Sequence, residues 1–351
     1  MKIAMLLSGG VDSTVALGRL VQQGHQVTAF YLKIWLEDEL SFLGECPWEE
    51  DLSYVRKVCE QFNVPLEIVP LQQAYKERVI GYTIEEIKKG NTPNPDIMCN
   101  TFIKCGAFLD VLKGRDFDKI ATGHYAGLVE QEGRYYLQKT PDALKDQTYF
   151  LSRLSQEQLS WLLFPLAELT KPEVRALAQE FDVVNKNRKD SQGLCFLGKI
   201  KFRDFIKEQI GIKEGLLVEV ETGKPMGIHE GFWFYTLGQR QGLGLAGGPW
   251  YVVAKDPVLN TVFISKEYHA EDKQRDTFMV GQLAWVDPIV SPTNLDVKIR
   301  HGAHSYSARV EPQADGTVRV CLPERDQGIA PGQFAVFYKD RLCIGSGVIV
   351  Q

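Results

Sequence analysis

The segment S-G-G-V-D-S at residues 8–13 contains the residue types best suited to binding phosphate. An apolar run at residues 3–7 precedes it, and apolar residues at helical spacing follow it over residues 15–21. A turn from a strand into a helix directs backbone N–H groups and the positive end of the helix dipole towards an anion. The segment has neither the lysine of a Walker A loop nor the G-x-G-x-x-G of a dinucleotide fold. We therefore predict a phosphate loop of another class.

Two cysteines lie where a thiol can be reactive. Cys99 follows a loop with two prolines and precedes a helix that we predict from residue 101, whose dipole would stabilise a thiolate. Asp96, three residues earlier, is close enough to orient a nucleophile or accept a proton. Cys195 lies between glycines in a basic segment, which suits both a thiolate and a phosphate backbone. Taken singly, each segment is equally well explained by a structural thiol.

Three further polar segments have two interpretations each. Lys145, Asp146 and Gln147 lead into an apolar segment, so they could contact phosphates and base edges or cap a helix. His124 ends a predicted strand, as a base contact or as an internally hydrogen-bonded group. The glycine-rich stretch from Thr236 could form a specific turn or contact RNA.

Strands that alternate with long helical segments predict how these residues are positioned. The predicted strands cover residues 3–7, 26–32, 65–69 and 119–122, and the helices cover 49–62, 75–89, 101–112 and 170–179. This order is typical of a doubly wound α/β fold with a parallel sheet. Ligands bind such sheets at the carboxyl ends of the strands, where residues 8–13, Leu32 and Gly123 are expected to meet.

From about residue 215 the pattern changes to short β-type runs separated by glycine and proline. Such spacing predicts small barrels or sandwiches. We therefore predict an N-terminal catalytic domain at residues 1–209, a small β-rich central domain at 210–272 and a C-terminal β-barrel at 273–351.

Composition excludes several classes of protein. The chain has 351 residues, 44% of them hydrophobic, and a net charge of −5, so a nucleic-acid partner would need a local basic patch. No apolar run approaches the roughly 18 residues of a membrane span, and no signal peptide is evident, so we expect a cytoplasmic protein. Seven scattered cysteines without C-x-x-C argue against a disulfide scaffold and a structural zinc site.

Taken together, these segments resemble the tRNA-specific 2-thiouridylase family of the ATP pyrophosphatase (PP-loop) superfamily. The resemblance covers essentially the whole chain. It rests on S-G-G-V-D-S at 8–13, N-P-D-x-x-C-N at 94–100, G-H-Y at 123–125, K-D-Q-[ST]-Y-F at 145–150, D-S-x-G-x-C-F at 190–196, T-x-G-Q-R-x-G-L-G at 236–244 and P-G-Q at 331–333. The phosphate loop alone identifies the superfamily, whereas two cysteine motifs at this distance identify the thiolating enzymes.

The resemblance implies roles for individual residues. The ATP site, with Mg²⁺, would comprise Ser8, Gly9, Gly10, Val11, Asp12, Ser13, Leu32 and Gly123. The target uridine would lie against Asn94, Pro95 and Asp96, with Cys99 as resolving nucleophile and Cys195 as persulfide carrier. The tRNA would contact His124, Lys145, Asp146, Gln147, Arg300, His301 and Gln333. The chain departs from the family at residues 301–304, because the family commonly has an aromatic residue directly after the arginine.

The reaction implied is adenylation of the C2 oxygen of the wobble uridine of tRNA, followed by sulfur transfer from Cys195. A sulfur donor protein, either a cysteine desulfurase or a persulfide relay, would load Cys195. Two alternatives from other classes stay open. One is another PP-loop enzyme, such as a 4-thiouridine synthase, and the other is a non-catalytic, nucleotide-dependent RNA-binding protein. An iron–sulfur cluster on Cys99, Cys105 and Cys195 is a third possibility, which the helix predicted from residue 101 argues against.

Overall fold

The structure, a computed structural model, describes residues 1–34, 48–190, 202–267, 275–326 and 328–350. Cys195 and Cys46 lie outside these residues. The described strands are β1 (Lys2–Leu6), β2 (Gln26–Lys33), β3 (Leu66–Pro70), β4 (Lys119–Ala121), β5 (Gly127–Gln131), β6 (Arg134–Gln138), β7 (Leu162–Leu163), β8 (Gly215–Glu219), β9 (Pro225–His229), β10 (Tyr251–Asp256), β11 (Thr261–Ser265), β12 (Arg275–Trp285), β13 (Thr293–Lys298), β14 (Tyr306–Pro312), β15 (Val318–Asp326), β16 (Phe334–Lys339) and β17 (Leu342–Ile349).

The described helices include two long ones that contain wider π-helical turns. The helices are α1 (Val11–Gln22), α2 (Trp48–Phe62), α3 (Gln72–Tyr75, Lys76–Ile80 and Gly81–Lys88), α4 (Pro95–Met98, Cys99–Ala107 and Phe108–Leu112), α5 (Thr148–Leu151), α6 (Gln156–Trp161), α7 (Lys171–Glu180) and α8 (Phe202–Ile210). In α3 and α4 the middle of the three ranges is the π-helical one.

The first sheet is parallel, with the strand order β3-β2-β1-β4-β7. Alternate residues of β1 are buried on opposite faces, as a strand requires. Ile3 and Met5 join the core formed with α1, α2 and α7, whereas Ala4 and Leu6 join the core formed with α3 and α4. Helices therefore cover both faces, which confirms the predicted doubly wound fold.

The strand order reverses at β1, which pairs with β2 on one side and β4 on the other. Loops that leave adjacent strands at such a switch point diverge and open a crevice at their carboxyl ends. Residues 8–13 follow β1 and residues 122–124 follow β4, so the fold brings both segments to this crevice.

Helix α4 begins six residues earlier than we predict from the sequence. The Asn94 side chain caps it by accepting a hydrogen bond from the backbone N–H of Ile97 at 3.2 Å, and Pro95 occupies the first turn. An asparagine cap followed by proline is a favourable helix start. The helix predicted over residues 101–112 is present, but its predicted start is wrong, because the two prolines that indicated a loop include the first residue of the helix.

The remaining strands form the two predicted β-rich units. A four-stranded sheet with the order β10-β11-β8-β9 packs around Trp250 and Phe232. Strands β12, β15, β14, β13, β16 and β17 form a six-stranded barrel, which the pairing of β12 with β17 closes. The β5–β6 hairpin extends the barrel sheet through the pair Gln138 and Leu342. Within the described ranges, no helix combines the length and apolar character needed to cross a bilayer.

Candidate active site

The hydroxyl groups of the phosphate loop and of the first turn of α1 form hydrogen bonds within this segment. Ser13 Oγ and Thr14 Oγ1 both donate to the carbonyl of Gly10, at 3.0 and 3.1 Å. Gly10 is the N-cap of α1 and provides no side-chain cap, so the first N–H groups of the helix stay available to an anion. Gly9 has a φ of +80°, and a Cβ there would lie 2.8 Å from the Asp51 carbonyl. The loop thus has the geometry of a phosphate site.

Two other residues predicted for the ATP site lie at the same edge of the sheet. A Cβ on Gly123 would lie 2.7 Å from both N and Cα of Ser13, so only glycine lets the end of β4 approach the loop. Leu32 is half-buried near the carboxyl end of β2. The Val11 side chain is buried, so only its backbone can serve a ligand.

Asp12 is the first carboxylate of an ion-pair network that sequence analysis did not predict. Its Oδ1 accepts from the Tyr125 hydroxyl at 2.9 Å and from Lys171 Nζ at 2.6 Å. Lys171 Nζ also lies 2.8 Å from Asp190 Oδ1, and Lys145 Nζ binds Asp190 Oδ2 at 2.8 Å. Burial opposes ionisation of Asp190, but the hydrogen bonds from Lys145 and Lys171 lower its pKa to about 2.

Three residues near the loop were missed because they come from a distant part of the chain. The Asn185 side chain donates to the Gly9 carbonyl at 2.8 Å and to Thr14 Oγ1 at 2.9 Å. Arg188 donates to the same Gly9 carbonyl at 3.0 Å. Lys171 stands in the first turn of α7, where a cation opposes the helix dipole. That unfavourable position is the one local signal that could have revealed it.

The segment predicted to hold the uridine is built on the first two turns of α4. Burial raises the pKa of Asp96, while the positive charges of Lys104 and of protonated His301 act in the opposite direction. Cys99 lies in the second turn and is only 1% exposed. Because the dipole acts mainly within the first turn, the helix stabilises a Cys99 thiolate less than we predict from sequence.

His124 lies between two residues, Gly123 and Tyr125, that contact the phosphate loop. Its Nδ1 lies 2.8 Å from Thr122 Oγ1, and burial, followed by the charge of Lys104, lowers its pKa to about 3. The imidazole is therefore neutral at physiological pH. The preceding residue, Gly123, touches the phosphate loop, and the following residue, Tyr125, donates its hydroxyl to Asp12 and its backbone N–H to Gln147.

Two of the predicted tRNA contacts are directed inwards. The Asp146 carboxylate is buried, accepts from Thr148 Oγ1 at 2.9 Å and pairs with Lys298 Nζ at 3.0 Å. Gln333 Nε2 donates to the carbonyls of Thr92 and Pro93, both at 3.1 Å. A direct contact of the Asp146 side chain with a base stays a prediction, and it would require this carboxylate to leave its partners inside the protein. Its charge is neutralised inside the protein, and the Gln333 amide is likewise engaged within the chain.

The remaining predicted tRNA residues keep exposed surface. Lys145 is 39% exposed despite its bond to Asp190, and Gln147 accepts from the Tyr125 N–H at 3.0 Å. Arg300 makes two bonds of 2.8 Å to Asp326 and keeps half of its side chain exposed. The His301 ring stacks on Phe150 with centroids 4.7 Å apart. The imidazole thus makes a ring contact at the position where the family commonly has an aromatic residue.

The Asn94 side chain joins this segment to the barrel. Its Nδ2 donates to Gln333 Oε1 at 3.2 Å.

The Cys195 segment lies outside the described residues, and Asp190 is the last described residue before it. Burial raises the pKa of the Cys105 and Cys343 thiols to about 12, which suits structural cysteines. The described residues include no group of three or more His, Cys, Asp or Glu side chains that could hold a metal ion.

Comparison with known proteins gives matches along the whole chain. Residues 1–199 match the family model described as the tRNA methyl transferase HUP domain, residues 203–266 match its PRC-barrel domain, and residues 275–349 match an aminomethyltransferase beta-barrel domain. The chain is 44% identical to the tRNA-specific 2-thiouridylase MnmA of Parabacteroides distasonis, with coverage of 100% of this chain and 99% of the relative. It is 42% identical to the protein of the same name from Porphyromonas gingivalis, again with coverage of 100% and 99%.

Solved structures match more distantly. A 4-thiouridine synthetase in complex with RNA and ATP is 19% identical over 60% of this chain and 50% of that chain, with a TM-score of 0.36.

Proposed function

The chain belongs to the tRNA-specific 2-thiouridylase family, and we propose that it uses ATP to replace the C2 oxygen of a uridine in tRNA by sulfur. Its activity is that of a tRNA-uridine 2-sulfurtransferase, and its products are 2-thiouridine, AMP and pyrophosphate. The resemblance of the whole chain to this family supports the wobble uridine as the target.

The observation that carries this proposal is a path of contacts from the phosphate loop to α4. Gly123 touches the backbone of Ser13, and the Tyr125 hydroxyl donates to Asp12 at 2.9 Å. The Tyr125 N–H donates to Gln147 at 3.0 Å, directly before α5, and Asn100 of α4 donates to the Phe150 carbonyl in α5 at 3.1 Å. This path supports a shared crevice for the phosphate site and the start of α4, which bears Asp96, as transfer of an adenylyl group to a base requires.

The first step activates a carbonyl that has no good leaving group. The C2 oxygen of the uridine attacks the α-phosphorus of ATP, and the bond from that phosphorus to the bridging oxygen breaks. Pyrophosphate leaves with the electron pair, and the N3 proton of the uracil has to leave as well. We assign that proton to Asp96, because a raised pKa makes its carboxylate a stronger base than an ordinary aspartate. The base must leave its stack to reach this pocket.

The second step transfers sulfur. The terminal sulfur of a Cys195 persulfide attacks C2 and AMP leaves. Cys99 then attacks the Cys195 sulfur, which releases 2-thiouridine and forms a Cys99–Cys195 disulfide. Alternatively, Cys99 attacks the persulfide first and the released sulfide attacks C2. In both routes the two thiols lose the two electrons that the sulfane sulfur gains, and a thiol reductant restores them. The role of Cys195 rests on the resemblance.

ATP and Mg²⁺ would occupy the loop side of the crevice. Mg²⁺ in such sites is held by one or two carboxylates together with the phosphates. The described residues fit this need, because Asp12 directs a partly exposed carboxylate to the first turn of α1. The ion would neutralise phosphate charge, while Leu32 and Gly123 would border the adenosine.

The tRNA would cover the face that bears His124, Lys145, Gln147, Arg300 and His301. A cysteine desulfurase or a persulfide relay would supply sulfur to Cys195. We propose the cytoplasm as the location, because the substrate is tRNA and the disulfide has to be reduced in every cycle.

Nucleoside mass spectrometry of unmodified tRNA, incubated with the protein, Mg-ATP and a persulfide donor, tests the function. We expect 2-thiouridine that depends on ATP. A 4-thiouridine product would assign the protein to the sibling enzyme class, and AMP release without a thiolated base would contradict sulfur transfer.

Cysteine variants test the second step. Cys195→Ser is expected to abolish thiolation but to leave pyrophosphate release, and Cys99→Ser is expected to block thiolation unless free sulfide is supplied. Cys321→Ser, on β15 of the barrel, is the matched control and should retain activity. Full activity of Cys195→Ser with the persulfide donor would contradict the role of that residue.

A further inference from the structure

Lys171 is a nearly buried lysine that points at the phosphate loop. Its side chain is 13% exposed, and its Nζ lies 2.6 Å from Asp12 Oδ1 and 2.8 Å from Asp190 Oδ1. The backbone N–H of Lys171 donates to Asp142 Oδ2 at 2.9 Å, which fixes the start of the side chain. The ammonium group is thus held beside the first turn of α1, where the phosphates of ATP would bind.

Helix stability does not account for this lysine. The start of α7 is already secured by a capping box between Thr170 and Glu173 and by Pro172 in the first turn. A positive charge at this position opposes the helix dipole. The burial of a lysine side chain also costs rotamer entropy. The presence of a lysine at position 171 is therefore explained by the contacts of its ammonium group and not by the stability of α7.

The charges around Lys171 leave it able to exchange partners. Asp190 is also bound by Lys145 at 2.8 Å and by Arg175 at 2.5 Å, so it stays paired without Lys171. Asp12 keeps the hydrogen bond from the Tyr125 hydroxyl. In this part of the described structure three cations, Lys145, Lys171 and Arg175, face the carboxylates of Asp12, Asp142 and Asp190. A phosphate at the nearby helix terminus would therefore bind Lys171 by replacing a carboxylate.

Asn185 holds the phosphate loop from its buried side. Asn185 is 1% exposed, and its amide nitrogen donates to Gly9 and Thr14 on the buried side of the loop. Its Oδ1 is buried and has no hydrogen-bond partner among the described residues. A buried acceptor without a partner is costly. Because phosphate oxygens are acceptors too, they would not satisfy this atom, and Asn185 serves the site by holding the Gly9 carbonyl and the Thr14 hydroxyl in place.

We propose that Lys171 is a catalytic residue that contacts the β- and γ-phosphates of ATP. This inference rests on the proposed function. On ATP binding the ammonium group exchanges Asp12 for phosphate oxygens, while Asp190 holds it in reach. When the bond between the α-phosphorus and the bridging oxygen breaks, the electron pair stays on the departing pyrophosphate. Lys171 stabilises that charge, as the lysine of a Walker A loop does from a different position.

Nucleotide binding to the full-length protein tests the proposal without any need for thiolation. We would measure, by calorimetry with Mg²⁺, the affinity of Lys171→Met for the α,β-methylene analogue of ATP and for AMP. We expect an affinity loss of about tenfold or more for the analogue and an unchanged affinity for AMP, because the lost charge-assisted bonds belong to the outer phosphates. Lys171→Arg, which retains the charge, should restore part of the loss.

The control is Lys186→Met, which removes a lysine whose partner is the exposed Asp182. It should bind both nucleotides like the unaltered protein. An equal loss of analogue and AMP affinity in Lys171→Met, or no loss of either, would overturn the proposal. The proposed function fails by a different result, namely the absence of 2-thiouridine from reactions of the unaltered protein, so the two failures are distinguishable.

Discussion

Asp146 Oδ2 and Lys298 Nζ form an ion pair of 3.0 Å in which the side chains are 1% and 3% exposed. Asp146 precedes α5 in the N-terminal part of the chain, and Lys298 ends β13 of the barrel. The pair therefore joins the two units, and it fixes the barrel segment that continues to Arg300 and His301. The Asp146 carboxylate, which we predict as an RNA contact, is thus bound inside the protein beside the segment that bears Arg300 and His301, two other predicted contacts.

Removal of one partner of this pair should destabilise the protein strongly. Lys298→Met leaves a buried carboxylate without its cation, which costs about 3–5 kcal/mol in comparable sites. Urea unfolding measures the change. Lys113→Met is the control, because Lys113 is 50% exposed in its ion pairs with Asp110 and Glu157 and should change stability far less than Lys298→Met does. Equal effects of the two substitutions would contradict a stabilising buried pair.

Gln333 is expected to act on the reaction through the segment that it holds. Gln333→Glu retains the shape but cannot donate to the carbonyls of Thr92 and Pro93. Because Asn94 and Asp96 follow directly, we expect kcat/KM for tRNA thiolation to fall by about tenfold or more, with unchanged affinity for ATP analogues. In Gln313→Glu, the substituted amide donates to the Glu311 carbonyl on the barrel, and this change should have little effect. Weaker binding of ATP analogues by Gln333→Glu would show that the change spreads beyond this segment.

Gly123 should be intolerant of any side chain. Gly123→Ala introduces a Cβ 2.7 Å from the backbone of Ser13, so the phosphate loop or the end of β4 has to move. We expect affinity for ATP analogues to fall by about tenfold or more. At Gly81 in α3 a Cβ would be 3.7 Å from the nearest atom, so Gly81→Ala is the matched control. Normal nucleotide affinity of Gly123→Ala would refute the close approach.

Asp96→Asn is expected to lower the rate of adenylation and to raise the stability of the protein. Loss of the proton acceptor is expected to slow adenylation by about 100-fold or more in single-turnover experiments. In the unaltered protein the rate should fall as pH drops through the raised pKa of Asp96, above the 3.8 of an ordinary aspartate.

The same substitution should change stability in the opposite direction. A carboxyl whose pKa is raised by folding favours the folded state when protonated, and this contribution is lost as pH rises through the folded pKa. Asp96→Asn should therefore raise the free energy of unfolding at neutral pH, and the gain should shrink at acidic pH. Equal stability of variant and unaltered protein at both pH values would contradict the raised pKa.

The sequence by itself determined the local elements and the chemical groups. Strand β1, the capping box at Thr170 and the hairpin around Gly133 follow from hydrophobic period, capping residues and turn residues. The phosphate loop was evident because its residues are contiguous. Even the true start of α4 was readable, since Asn94 and Pro95 form a standard helix start.

Only the tertiary structure decided which groups meet. Lys171 and Asn185 reach the loop from more than 150 positions away, and Gln333 reaches Asn94 from 239 positions away. It also decided that Asp146 is buried. Periodicity reports which face of an element is apolar but not which distant element covers it. The sequence therefore does not distinguish a charged residue that forms an ion pair inside the protein from one that binds a ligand.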